Sequence, residues 1–191
     1  EFHRRRGYDL IPFLPLYAGI PVGTADRAEK ILHDIRETIA ELVADVFYDT
    51  IAVLARGYGC RISAECTAPT MVGDGMLHYG RVDLPMGEFW LRSPTHDKPN
   101  DMLDAIHGAR IYGKNIVQAE GFTQLRTTWD EHPALLKPLL DRNYAPGINQ
   151  MVYPVHVHNP WPDLRPGLTL YALRRYFHRA QPWSPHLRRL T

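Results

Sequence analysis

The stretch Asn115–Phe122 (NIVQAEGF) is the clearest strand of this sequence, because a run of apolar residues is bounded by turn-forming ones. Its only charged residue, Glu120, stands near the strand end between small and aromatic neighbours. A second short strand-like run, Gly87–Trp90 (GEFW), presents Glu88 in a similar setting. The two glutamates are 32 residues apart, with a helical segment between them. Consecutive strands of a β/α barrel have this spacing, and such barrels collect catalytic side chains at the C-terminal ends of their strands.

The rest of the chain predicts helices alternating with buried strands, which favours a parallel sheet. Thr24 is a suitable N-cap for an amphipathic helix of over thirty residues, long enough that a break or kink is expected. The remaining predicted elements are a strand over Cys60–Thr67, loop-like residues 68–86, helices beginning at Pro99 and Pro133, and a strand-like run over Gly147–His158. About four parallel strands are visible, so the prediction is an α/β fold, a partial (β/α) barrel with a long N-terminal amphipathic helix.

The two ends of the chain have a different character. Residues 7–23 contain three prolines among apolar residues and predict a buried, irregular or short-strand entry rather than a helix. The basic run His3–Arg6 is interpreted as a solvated tail. Prolines interrupt residues 161–191, where we expect little regular structure within a single domain over 1–191.

Composition limits the classes of partner. The 191 residues carry 22 basic and 21 acidic side chains, a net charge of +1. This balance gives no electrostatic case for binding nucleic acid or a membrane surface. No run is long or apolar enough for a signal peptide or a membrane span. A processed chain would also lack its signal, so the localisation stays open.

Glutamates near three successive strand ends are the main candidates for chemistry. Glu120 is either a catalytic carboxylate or a partner in a structural salt bridge with Lys114, Arg126 or another residue of the barrel. Glu88 lies beside Trp90, whose ring would stack on a sugar face or fill the core. Glu65 is predicted to occupy the corresponding position one strand earlier. Paired carboxylates, one protonated and one ionised, are what glycosidic bond cleavage needs.

A rival hypothesis is a metal-dependent hydrolase. His156 and His158 stand at alternate positions of a strand-like run and would face the same side, as metal ligands do. His96 and Asp97 would add ligands. Structural histidines, or histidines that hydrogen-bond a sugar, are the interpretation we favour over metal binding.

Other acidic residues are predicted to have structural or solvent-exposed roles rather than catalytic ones. Asp74, Asp83 and Asp101 are interpreted as solvated loop acids. Residues 129–133 (WDEHP) are typical of a helix N-terminus, with Glu131 among its favourable first-turn acids. Trp129 is also a candidate to line the cleft.

These motifs, taken in order, resemble the α-L-rhamnosidases of glycoside hydrolase family 106. The resemblance covers roughly residues 7–160. The strongest matches are GEFW at 87–90, YGK at 112–114, AEGFT at 119–123, Trp129, and GIN at 147–149.

The resemblance implies a TIM-type barrel that hydrolyses terminal α-L-rhamnosides with inversion, a role in carbohydrate metabolism. Glu120 falls at a catalytic carboxylate, the general base that activates water, and Glu88 at a second active-site glutamate. Glu65, Trp90, Trp129, His156 and His158 are the expected sugar contacts. A calcium ion near the sugar hydroxyls is a further expectation, with no ligands assigned.

Family members are several times longer, so we expect this chain to be the middle of a barrel, with the general acid upstream of residue 1. An alternative is an inactive fragment that binds sugar or self-associates into a homo-oligomer, because a partial barrel leaves open sheet edges.

Overall fold

The fold is organised around one parallel β-sheet. A computed structural model describes residues 1–66, 73–124 and 131–153. Its four strands lie in the order β1-β2-β3-β4, each parallel to the next. They are β1 Ser63–Glu65, β2 Leu84–Trp90, β3 Gln118–Thr123 and β4 Gln150–Val152. Chain order equals spatial order, as in a β/α barrel, and the predicted α/β class with four parallel strands is confirmed.

Helices precede and separate the strands. The α-helices are α1 Phe2–Arg6, α2 Ala25–Leu42, α3 Asp49–Gly57, α4 Gly75–Arg81, α5 Pro99–Ile111 and α6 Pro133–Tyr144. A 3-10 helix spans Ile11–Ala18, and a π-helical stretch, Val43–Tyr48, joins α2 to α3. The predicted long helix is therefore continuous over 25–57, with a local irregularity in place of a break. The Thr24 side chain accepts a hydrogen bond from the Arg27 N–H at 3.3 Å, so the predicted N-cap is confirmed.

One helix was missed by the sequence patterns, since α4 lies within the predicted loop 68–86. The Asp74 carboxylate caps it by accepting from the N–H groups of Met76 and Leu77, at 2.9 and 3.2 Å. Gly80 weakens the helical signal, but a side chain there would meet the Tyr112 ring, with a Cβ only 2.8 Å from Cζ. Close packing therefore requires the glycine that made this segment look like a loop.

Strand lengths also differ from the prediction. The strand β1 has three residues rather than the eight predicted over Cys60–Thr67, and β2 begins three residues before Gly87. The strand β4 ends at Val152, and residues 154–158 of the predicted Gly147–His158 run lie outside the described part.

The N-terminal segment is helical, which corrects two predictions. The 3-10 helix buries Phe13 and Leu16 against Ile31 of α2, while most of its other side chains are exposed. The basic start of the chain is not a solvated tail. Arg5 donates to carboxylates of Glu41 and Asp45 at 2.9 and 3.2 Å, and these ion pairs fix α1 against the long helix.

The main core lies between the sheet and helices α4, α5 and α6. Phe89, Ala105, Ala119 and Phe122 are completely buried within it. The contact between α5 and β2 is tight at Gly87, where a Cβ would lie 2.6 Å from the Asp101 carbonyl oxygen. Within the described ranges, no helix is both long enough and apolar enough to cross a bilayer.

Candidate active site at the carboxyl ends of the strands

The three predicted glutamates lie on one face of the sheet. Glu88 and Glu120 are direct partners in the register of β2 and β3. Glu65 pairs with Met86, two residues before Glu88. Because side chains alternate along a strand, this even offset keeps Glu65 on the same face but one step deeper. The prediction that Glu65 corresponds in position to Glu88 was therefore wrong in register and right in face.

A layer of amide and hydroxyl side chains lies beneath Glu88 and Glu120, and its two glutamines are level with Glu65 in the strand register. Gln118 donates to the Gln150 side-chain oxygen at 2.7 Å and accepts a hydrogen bond from the Ser63 hydroxyl. Sequence reasoning missed this layer. The sequence did contain a signal for it, because Ser63 and Gln118 each stand two residues before a candidate glutamate and so lie on the same face of the sheet as that glutamate.

Glu65 is held in an environment that disfavours its charge. Its Oε1 is buried, and no hydrogen-bond partner for it exists among the described residues. Burial, followed by the charges of Glu120, Glu88 and Asp101, raises the pKa of Glu65 to about 7. A carboxyl group whose pKa is this close to neutral pH is characteristic of functional sites.

Glu88 experiences opposing influences. Burial is the largest, and it raises the pKa of Glu88; the neighbouring Glu120 charge acts in the same direction. Hydrogen bonding to the side chains of Trp90 and Thr123 lowers that pKa, without cancelling the rise. Glu88 therefore holds a proton more readily than an ordinary glutamate.

Glu120 is not the structural salt bridge that the sequence left open with Lys114. The Lys114 ammonium instead donates to the carbonyl oxygens of Tyr79 and Val82. Glu120 Oε1 accepts a hydrogen bond from the Thr123 hydroxyl at 2.8 Å. The other proposed partner, Arg126, lies outside the described residues. Among the described residues, Glu120 thus faces the carboxyl group of Glu88 and the hydroxyl of Thr123.

A bulge near the end of β3 brings that hydroxyl into the site. Phe89 pairs with Gly121 and Trp90 pairs with Thr123, so Phe122 is an extra residue. Phe122 has φ 65°, unusual for a bulky residue, and its completely buried ring packs edge-on against Phe89 with centroids 5.2 Å apart. The bulge was not foreseen from the sequence.

Trp90 is fixed by the loop that follows β2. Its ring lies 4.7 Å from the His96 ring, centroid to centroid, and the backbone N–H of Trp90 donates to Asp97 Oδ1 at 3.2 Å. Asp97 Oδ2 accepts from Arg142 at 2.6 Å. The His96 Nδ1 lies 2.9 Å from the Ser93 hydroxyl. His96 and Asp97 thus shape the loop around Trp90.

The metal hypothesis gains no support from the described residues. No three His, Cys, Asp or Glu side chains within 1–66, 73–124 and 131–153 are placed to hold a metal ion. His156, His158 and Trp129 lie outside the described residues, so their predicted roles stay predictions.

The acids interpreted as solvated are not simply solvated loop acids, which corrects that prediction: Asp101 is buried, and Asp83 and Asp74 accept hydrogen bonds. Asp101 is only 3% exposed in the first turn of α5. Burial raises its pKa to about 6, while the nearby Lys98 opposes the rise. Asp83 accepts hydrogen bonds from the Ile62 N–H at 2.9 Å and from Arg56 at 2.8 Å, and Asp74 caps α4 as described above.

Glu131 likewise has a role other than capping. Its carboxylate accepts from Arg92 at 3.1 Å and from Gln124 at 2.8 Å, and its side chain is only 1% exposed. The N-cap of α6 is His132, without a side-chain capping bond. Glu131 therefore ties the residues that follow β2 and β3 together beside the site.

A separate cavity of about 420 Å³ lies in the N-terminal helical region. Tyr8 and Phe13 line one part, and Arg27, Ile31 and Asp34 of α2 line another. None of its lining residues belongs to the sheet, so it is not part of the glutamate site.

Comparison with known proteins identifies the family. The family model of glycoside hydrolase family 106, described as alpha-L-rhamnosidase, matches residues 1–191. This chain belongs to glycoside hydrolase family 106. The resemblance drawn from the sequence motifs is therefore confirmed.

Two relatives show how much of a family 106 protein the chain represents. A protein of Formosa agariphila, named as a candidate beta-glucuronidase, is 36% identical over 184 residues, which are 96% of this chain and 15% of that protein. The solved structure of a rhamnosidase from Novosphingobium sp. PP1Y matches with a TM-score of 0.79 at 33% identity, over 98% of this chain and 18% of that one. The chain spans less than a fifth of the length of either relative.

Proposed function

We propose that this family 106 chain supplies the water-activating side of a glycosidase active site that cleaves terminal α-L-rhamnosides with inversion. The observation that carries the proposal is the register pairing of Glu88 with Glu120 near the carboxyl ends of adjacent parallel strands. Catalytic groups of β/α barrels lie at this end of the sheet. Family membership supports glycosidic bond cleavage as the chemistry.

Glu120 is our choice for the general base. A base must be ionised to take a proton from water. Glu120 accepts the hydroxyl hydrogen of Thr123, as a carboxylate does. The pKa of its neighbour Glu88 is raised, mainly by burial, so Glu88 holds a proton more readily than an ordinary glutamate. This division of roles follows the general pattern of carboxyl pairs whose surroundings favour opposite protonation states.

The general acid in this proposal comes from another part of the protein. Neighbouring strands lie about 4.8 Å apart, and residues paired in register approach a substrate from the same side. An inverting enzyme needs carboxyl groups about 6.5–9.5 Å apart that flank the scissile bond. Glu88 and Glu120 are therefore placed to act together on one side of the sugar, and the acid has to reach it from the other.

Sugar contacts complete the proposal. Glu65, one step deeper on the same face, is placed to hydrogen-bond a sugar hydroxyl, and Trp90 offers an aromatic surface beside Glu88. Trp129, His156 and His158 remain predicted contacts. Because the described residues hold no three-ligand cluster, the expected calcium ion would need ligands from elsewhere, and no step above depends on it.

Hydrolysis of nitrophenyl glycosides tests the function directly. Nitrophenolate leaves without needing protonation, so this assay reports on the base even where the acid is missing. We expect selective cleavage of the α-L-rhamnoside, and a fall of about 100- to 10,000-fold in Glu120→Gln, the usual contribution of a general base. Glu29→Gln, an exposed change on α2, is the matched control.

Proton NMR recorded early in the reaction, before the released sugar equilibrates between its anomers, would show whether the anomeric configuration is inverted. Retention would overturn the inverting mechanism, and full activity in Glu120→Gln would overturn the role of Glu120. Repeating the assay with a chelator and with added calcium tests the calcium expectation. If a folded sample cleaves no glycoside, the sugar-binding or self-associating alternative takes its place, and a concentration-dependent size in solution would identify self-association.

A further inference from the structure

The position of Thr123 depends on the bulge in β3. In a regular strand, residues three apart point to opposite faces, so Thr123 would point away from Glu120. The extra residue, Phe122, returns Thr123 to the face of Glu120 and level with Trp90. A positive φ at a bulky residue is costly, and such strain is typically retained at functional sites. The fold thus accepts a strained residue to direct one hydroxyl at the carboxylates.

That hydroxyl faces two acceptors with one hydrogen. Its Oγ1 donates to Glu120 Oε1 at 2.8 Å, and hydrogen bonding between Thr123 and Glu88 also contributes to the environment of Glu88. A threonine hydroxyl carries a single hydrogen, so it serves one carboxylate at a time. The resting arrangement directs it to Glu120.

We propose that Thr123 is a positioning residue whose hydroxyl turns from Glu120 to Glu88 when Glu120 takes a proton from the attacking water. No proton leaves Thr123. Its O–H bond rotates and the water proton stays on Glu120. The remaining hydroxide bonds to the anomeric carbon as the bond from that carbon to the leaving-group oxygen breaks, and the general acid protonates the leaving oxygen. The inference rests on the proposed role of Glu120 as base. Its consequence is that the charge states of Glu88 and Glu120 are coupled through one hydroxyl.

The surroundings of Glu88 make such coupling effective. Glu120 on β3 and His96 in the loop after β2 both act on the Glu88 charge, in opposite directions. Glu65 on β1 and Asp101 on α5 also interact with Glu88 electrostatically. Three carboxyl groups and one histidine surround Glu88. The stability of its ionised form therefore depends strongly on any hydrogen-bond donor that turns toward it.

Carboxyl-carbon NMR titration of Glu88 tests the proposal without needing activity. Thr123→Val removes the hydroxyl at nearly constant shape, and Thr123→Ser retains it. We expect Thr123→Val to move the Glu88 midpoint upward, and to move it further in a Glu120→Gln background. There the neutral amide oxygen of glutamine accepts the hydroxyl less strongly than a carboxylate does, so the hydroxyl turns to Glu88 more often. Thr123→Ser should restore the original midpoint in both backgrounds.

Equal shifts in the two backgrounds, or no shift in either, would overturn the proposal. Thr123→Ala allows the same comparison if the valine variant does not fold. In the rhamnoside assay we expect Thr123→Val to lower kcat with little change in KM, and Thr123→Ser to recover it. Absence of rhamnoside cleavage by the unmodified protein would count against the proposed function, whereas the titration result would still decide whether Thr123 couples the two glutamates.

Discussion

Replacing Glu65 with glutamine should stabilise the protein at neutral and alkaline pH. The pKa of Glu65 is raised from an ordinary 4.5 to about 7 by burial and by three neighbouring carboxyl groups. Below pH 4.5 the group is protonated in both the folded and the unfolded chain, so it has no effect. As the pH rises from 4.5 to 7, the unfolded chain loses this proton first, and the free energy of unfolding falls. Above pH 7 Glu65 is ionised in the folded protein too, and the free energy of unfolding is lowered by the full cost of that buried charge.

The structure gives the size of the effect. At about 1.4 kcal/mol for each pKa unit, the rise from 4.5 to about 7 means that the ionised Glu65 costs at most about 3.5 kcal/mol. Burying the glutamine amide costs about 1 kcal/mol in turn, because one of its polar atoms takes the place of Glu65 Oε1, which has no hydrogen-bond partner among the described residues. We therefore expect Glu65→Gln to raise the free energy of unfolding by about 2.5 kcal/mol at pH 8 and to lower it by about 1 kcal/mol at pH 4.5.

Urea unfolding at several pH values between 4.5 and 8 measures this difference. The matched control, Glu29→Gln, alters an exposed glutamate and should leave both the stability and its pH dependence unchanged. If Glu65→Gln retains the full decline in stability between pH 4.5 and 7, the reasoning about Glu65 is refuted. A stabilised variant would show that the native glutamate is kept at a cost to stability, as residues of functional sites often are.

Two further predictions concern the scaffold. Gly87→Ala would place a Cβ 2.6 Å from the Asp101 carbonyl oxygen, so α5 must move, at a cost of about 1–3 kcal/mol measured by urea unfolding. Gly57→Ala, at the open end of α3, is the control and should be neutral or stabilising by up to about 1 kcal/mol. Thr24→Ala removes the acceptor for the Arg27 N–H and should cost about 1 kcal/mol, whereas Thr24→Ser should cost little; equal melting temperatures for the two variants would contradict this role.

The elements with strong local signals were predicted well. The helix Pro99–Ile111 and the start of α6 at Pro133 follow from proline at the first helical position and from helical apolar spacing. The strand ends carrying Glu88 and Glu120 follow from apolar runs next to glycine. The helix α4 was missed because Gly75 and Gly80 contradict helical propensity, and the need for them comes from packing against residues distant in sequence.

The candidate site divides in a similar way. Its residue types and the family were visible in the sequence, as were the glutamates at three strand ends. The deeper position of Glu65, the bulge at Phe122 and the burial of Asp101 were not. Each depends on how one element pairs with or packs against another, which local patterns do not specify.

Periodicity and short motifs act over neighbouring residues, so they were sufficient to predict the parallel α/β architecture, the family and the carboxylates available for chemistry. The pairing of Glu88 with Glu120 followed from the tertiary structure alone, as did the raised pKa values of Glu65 and Glu88. Strand register sets the distances between charges, and burial sets the cost of ionising them. The Thr123 hydroxyl reaches Glu120 for the same reason, since a single extra residue in β3 changes the face to which it points.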